Sequence, residues 1–167
     1  MLRFAFLVSL ALFVWPALAK IPTQYEPVVI EAGFSFTKRE FNLTAAVDRS
    51  KREGKPLYVY LGAEDCPPCK VYHQFLLENR ESLSQSFSNV IVVDIRTWLN
   101  GPPLYFKVAE KSYSFEEFKL LVGDKNKALT YRYYWLLGPG LIQVKQLPQG
   151  SLHYMPLEKQ IKILSIP

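Results

Sequence analysis

The feature that most constrains this chain is a run of seven apolar and small residues, Leu57 to Ala63 (LYVYLGA), followed within three residues by the first of its two cysteines. So short a run, dense in aromatic and aliphatic side chains, predicts a strand buried on both faces. Cys66 and Cys69 come next, separated only by Pro67 and Pro68. Beyond them the spacing turns helical: Val71, Phe75 and Leu76 fall on one face, with Leu83 further along. Asn89 to Ile95 then predicts a second buried strand. Upstream, Leu43, Ala46 and Val47 start a helix that Gly54 ends and Pro56 closes off. The order helix, strand, cysteine pair, helix, strand predicts a parallel βαβ unit, because parallel neighbours need a long crossover.

The remaining segments divide less sharply. Tyr25 to Ala32 holds an expected short strand, and Ser114-Phe115-Glu116-Glu117 is a capping box opening a helix over 115–122 before Gly123. Residues 141–154 predict two strands around a turn at Pro148-Gln149-Gly150. Leu157, Ile161 and Leu164 give a closing amphipathic helix.

The N-terminus reads as a secretory signal. Arg3 precedes an apolar stretch from Phe4 to Trp15, Pro16 breaks it, and Ala17-Leu18-Ala19 offers a small-x-small cleavage site. The stretch is shorter than the roughly 20 apolar residues a bilayer span needs. Cleavage after Ala19 removes Arg3, and the expected organisation is a signal peptide at 1–19, an N-terminal extension at 20–41 and one domain over 42–167. No later run is long enough to span a bilayer. The chain carries a net charge of +5, but its basic residues are scattered without a stripe of interleaved aromatics, which argues against nucleic acid. A monomer is the default.

Export to an oxidising compartment, with the periplasm as the expected site, bears on what two cysteines do. A disulfide across so short a loop removes little entropy from the unfolded chain, so a stabilising role is weak. Two thiols one helical turn apart have redox chemistry instead. Cys66 at the helix N-terminus is favoured as a thiolate by the helix dipole, and Cys69 reaches it to form or release a disulfide. Glu64 and Asp65 oppose that by placing negative charge beside Cys66. A metal site is the alternative: His73, four residues after Cys69, completes a Cys66, Cys69, His73 set for copper or zinc, with His153 a distant fourth. A third reading is a non-catalytic interaction module presenting Tyr131, Tyr133, Tyr134 and Trp135.

The segment KPLYVYLGAEDCPPCK (Lys55 to Lys70) resembles the strand-to-active-site segment of the thioredoxin superfamily, particularly its exported members. That resemblance implies an α/β thioredoxin-like fold: a central mixed sheet flanked by helices, with the 115–122 helix inserted before the cis-proline strand. It implies Cys66 as nucleophile, Cys69 as resolving cysteine and Lys70 as the basic residue that follows. YYWLLGPGLIQV (Tyr133 to Val144) resembles the family's cis-proline segment, which makes Pro139, with Gly138 before it, the substrate-docking position. Thiol–disulfide exchange of this kind needs no bound cofactor beyond the Cys66–Cys69 couple; its partners are protein thiols or disulfides and a protein electron donor or acceptor. The chain departs from the family pattern in three places: Asp65 replaces the tryptophan common before the first cysteine, Tyr60 replaces a buried aspartate, and Gly138 replaces a β-branched residue.

Overall fold

The computed structural model describes residues 20–33, 35–126, 129–150 and 152–165. The signal expected at 1–19 and the side chain of His153 lie outside the described residues. The elements follow in the order β1 (Val28–Glu31), β2 (Arg39–Asn42), α1 (Thr44–Glu53), β3 (Leu57–Ala63), α2 (Pro67–Glu78), α3 (Arg80–Ser88), β4 (Ile91–Thr97), β5 (Leu104–Val108), β6 (Lys111–Ser114), α4 (Phe115–Val122), β7 (Tyr133–Leu137), β8 (Gln143–Lys145) and α5 (Leu157–Leu164).

They build an α/β structure with two mixed sheets. The larger sheet runs β1-β4-β3-β7-β8, the smaller β2-β5-β6. In the larger, β1, β4 and β3 are parallel and β7 and β8 antiparallel to their neighbours. β3 is central and every residue of it is buried, as a strand covered on both faces requires. Its alternation sorts the core into two layers. Leu57, Val59 and Leu61 pack with α1, α4, β5 and Trp135 of β7. Tyr58 and Tyr60 face the other way, onto Tyr72 and Leu76 of α2, Phe87 of α3 and Ile163 of α5.

Local chemistry fixes the helix ends. Ser114 Oγ accepts from the Glu117 amide while the Glu117 carboxylate accepts from the Ser114 amide at 2.8 Å, the capping box expected for α4. Gly54 and Gly123 adopt the left-handed backbone that ends α1 and α4, at φ 65° and 77°. The helix expected after Cys69 is in fact two. Asn79 carries its side-chain amide back to the Phe75 carbonyl at 2.8 Å and breaks α2 from α3. The buried face of α2 is Cys69, Tyr72 and Leu76, and Val71 is exposed.

Residues 96–130, which have little periodicity, conceal β5 and β6, two of the three strands of the smaller sheet. Residues 20–41, expected as an extension, supply β1 and β2 and bury Ile21 and Tyr25 against the α2 face. Around Pro148–Gly150, β8 precedes the turn but Leu152–Tyr154 is a 3-10 turn rather than a second strand. No helix among the described residues is long and apolar enough to cross a membrane.

Candidate functional site

Cys66 and Cys69 lie at the carboxyl end of β3, joined as a disulfide with Cα atoms 5.2 Å apart. Cys66 is the N-cap of α2, in an extended conformation, and Pro67 and Pro68 take the first two helical positions. Proline suits those positions, where an N–H has no helical acceptor. The same substitution has a chemical consequence. A residue at the N-cap normally receives donors from the second and third helical amides. Pro68 has no amide hydrogen, and the third amide, Cys69 N–H, is given to the Cys66 carbonyl at 3.0 Å. The first turn of α2 therefore offers Cys66 Sγ the helix dipole but few direct donors.

The disulfide is enclosed. Cys66 is 3% and Cys69 0% exposed, and the pair packs with Ala63 and with the half-buried ring of Tyr131. Burial raises the pKa of the Tyr131 hydroxyl; the Arg39 guanidinium nearby works against that and the Asp65 carboxylate adds to it. Arg39, from β2, also holds the loop after β4: its Nε donates to Pro102 O at 2.7 Å and its Nη1 to Thr97 Oγ1 at 2.9 Å and Trp98 O at 2.6 Å. Asp65 closes the same loop from the other side, accepting the Leu99 amide at 2.8 Å. The wall beside the cysteines is thus Tyr131, Arg39 and the Trp98–Leu99 turn. None of these was singled out by spacing as a site residue; Tyr131 figured only in the aromatic run.

Pro139 stands elsewhere. β7 pairs antiparallel with β3, Leu61 opposite Tyr133 and Leu57 opposite Leu137. The start of β7 meets the cysteines and its end points away, so Gly138 and Pro139 lie about 17 Å further along the strand at about 3.4 Å per residue. They form the turn into β8, with Leu141 N–H on the Gly138 carbonyl at 2.9 Å. The peptide bonds of the described residues are all trans, that of Pro139 included. The docking role expected of Gly138 and Pro139 does not fit this placement, and Tyr131 occupies the position opposite the disulfide.

His73 does not join the cysteines. Its Nδ1 is hydrogen-bonded to the Lys20 carbonyl, which ties the start of the described chain to α2. Among the described residues no group of three His, Cys, Asp or Glu side chains is placed to hold a metal ion, and Cys66, Cys69 and His73 are no exception. Lys70 is exposed on α2.

Under α2, Tyr60 lies in register with Asp94 of β4. Asp94 is fully buried; burial raises its pKa, opposed by Arg96 Nε at 2.9 Å and the Ile21 amide at 3.2 Å. A buried carboxyl group therefore lies one strand away from residue 60.

No family model matches the chain, and no curated protein or solved structure does either.

Proposed function

We propose that the protein is an exported thiol–disulfide oxidoreductase of thioredoxin-like fold, acting in the periplasm on protein thiols and disulfides. The observation that carries this is the Cys66–Cys69 disulfide at the N-terminus of α2, directly after the central strand of a mixed sheet. The order of the larger sheet supports the fold assignment: three parallel strands, the second along the chain at the centre, then two antiparallel strands. In the reduced state the Cys66 thiolate attacks a partner disulfide, one partner thiolate leaves, and a mixed disulfide forms. Cys69 then attacks Cys66 Sγ, the second partner thiolate leaves, and two electrons have passed to the partner.

Direction follows from what surrounds Cys66. A thiolate that is poorly stabilised makes the dithiol form costlier and the couple more reducing. Glu64 and Asp65 add negative charge nearby, and Pro68 removes an amide donor, so the couple leans toward reductase.

Equilibration of the purified protein against redox buffers tests this. A reversible two-electron transition at about −250 mV or below is expected, and one near about −120 mV would reverse the direction. Cys69→Ser should accumulate mixed disulfides with partner proteins and Cys66→Ser should form none. Equal behaviour of the two variants would remove the assigned roles.

A further inference from the structure

Beside the Cys66 turn, at the carboxyl ends of β1, β4 and β3, is an open cleft of about 300 Å³ lined by Glu31, Arg39, Glu64, Arg96, Thr97 and Trp98. Crevices outside the carboxyl ends of strands are where open α/β sheets receive ligands. The two cations in its wall are engaged from within. Arg39 donates to the Pro102 and Trp98 carbonyls and Thr97 Oγ1. Arg96 donates to the buried Asp94 carboxylate at 2.9 Å and stands 3.5 Å from Glu31. The acidic side is only partly matched in this way. Glu31 is the ion-pair partner of Arg96 while its side chain stays 69% exposed, and the Glu64 carboxylate makes no hydrogen bond or ion pair among the described residues. Trp98, 55% exposed, adds an indole whose backbone Arg39 fixes in place. An aromatic face with a carboxylate beside it is the arrangement that holds ammonium and guanidinium groups.

We propose that this cleft is a specificity subsite that receives a Lys or Arg side chain of the substrate, about two residues from the cysteine that Cys66 attacks. This rests on the thiol–disulfide reading. The reach fits: Glu64 is two residues from Cys66, and two residues of extended substrate span about 7 Å. The whole-molecule charge of +5 would favour the opposite choice, as would the exposed Lys70 on α2, so a preference for cationic substrates would have to arise locally.

The test uses three symmetrical peptide disulfides, acetyl-X-Gly-Cys-amide with X as arginine, glutamine or glutamate, reduced by the protein with its dithiol supplied in stoichiometric amount. Each turnover oxidises Cys66 and Cys69 and releases two peptide thiols. The arginine peptide should react about tenfold faster than the glutamate peptide, with glutamine between, the product of a cation–π contact and an exposed ion pair. Glu64→Gln and Trp98→Ala should each bring the three rates within about twofold of one another. Equal rates in the unaltered protein, a faster glutamate peptide, or a preference that survives Trp98→Ala would overturn the subsite and leave the redox reading standing. Failure of the protein to reduce any of the three peptides would overturn both.

Discussion

Gly62 shows how tightly single residues are fitted in the layer under α2. A Cβ at this position would fall 2.4 Å from Tyr60 Cε1 and 2.6 Å from its hydroxyl, closer than side chains approach one another. The Tyr60 ring cannot swing clear, because Tyr72 and Tyr134 pack against it with ring centres 5.5 and 5.6 Å away. Gly62→Ala should therefore destabilise the fold by about 2–3 kcal/mol through overpacking, read from the midpoint of chemical denaturation. Adding Tyr60→Leu should recover part of that loss, giving a double variant more stable than the sum of the two single effects; additive losses would mean that another contact limits residue 62. At this scale the sequence is legible where chemistry is local. Cys66 and Cys69 stand where their spacing puts them, at the N-terminus of a helix after a buried strand. Tyr131 is not legible, because its place beside them comes from β7 pairing antiparallel to β3, a contact across about 65 residues that no short pattern encodes. The proline-containing segment misleads for the same reason. Pro139 reads as the start of a strand, yet Tyr133–Leu137 is already that strand and Pro139 follows it.

Elements whose signals are confined to one turn or one strand match expectation closely. β3 and α4 have the bounds their residues indicate, since one is a run apolar on both faces and the other carries its own N-cap and C-cap. The smaller sheet is hidden because β2, β5 and β6 are short, with mixed burial, and are held by pairing with each other rather than by a strong pattern of their own. The most consequential element for function is the first turn of α2. With Pro68 at its second position, that turn lacks the amide which would otherwise face Cys66. Pro68→Ala restores the donor without altering charge. The Cys66 thiol pKa should fall by about half a pH unit, measured from thiolate absorbance across pH, and the redox potential should move toward the oxidising side. A potential that shifts the other way, or not at all, would show that the proline amides do not set the balance.

Across the whole molecule, two buried carboxylates on different sides of the sheet should give stability opposite pH dependences. Asp124, just after α4, is buried, which alone would raise its pKa. Hydrogen bonds from the Asn126 amide at 2.9 Å, Gln146 at 2.9 Å, Tyr133 Oη at 2.7 Å and Trp135 Nε1 at 2.8 Å outweigh burial and hold it below the ordinary carboxylate value. A carboxyl whose folded pKa is depressed stabilises the fold above its unfolded pKa, about 3.9, and loses that contribution as pH falls from there through the folded pKa. Asp94 is the reverse case. Burial outweighs its hydrogen bonds with Arg96 and the Ile21 amide and raises its pKa, so the folded state keeps the proton to higher pH. Its ionisation costs stability that is absent well below about pH 4 and grows as pH rises through the folded pKa. Asp124→Asn should cost about 2 kcal/mol at pH 7, since it sets amide hydrogens against the tyrosine and tryptophan donors, and markedly less at pH 3. Asp94→Asn should be better tolerated at pH 7 than at pH 3, because it removes an ionisation that the site resists. Denaturant titrations of both variants at the two pH values decide the matter: the change in stability on substitution must move in opposite directions with pH. If both variants move the same way, one of the two carboxylates is held by a balance other than the one its contacts indicate.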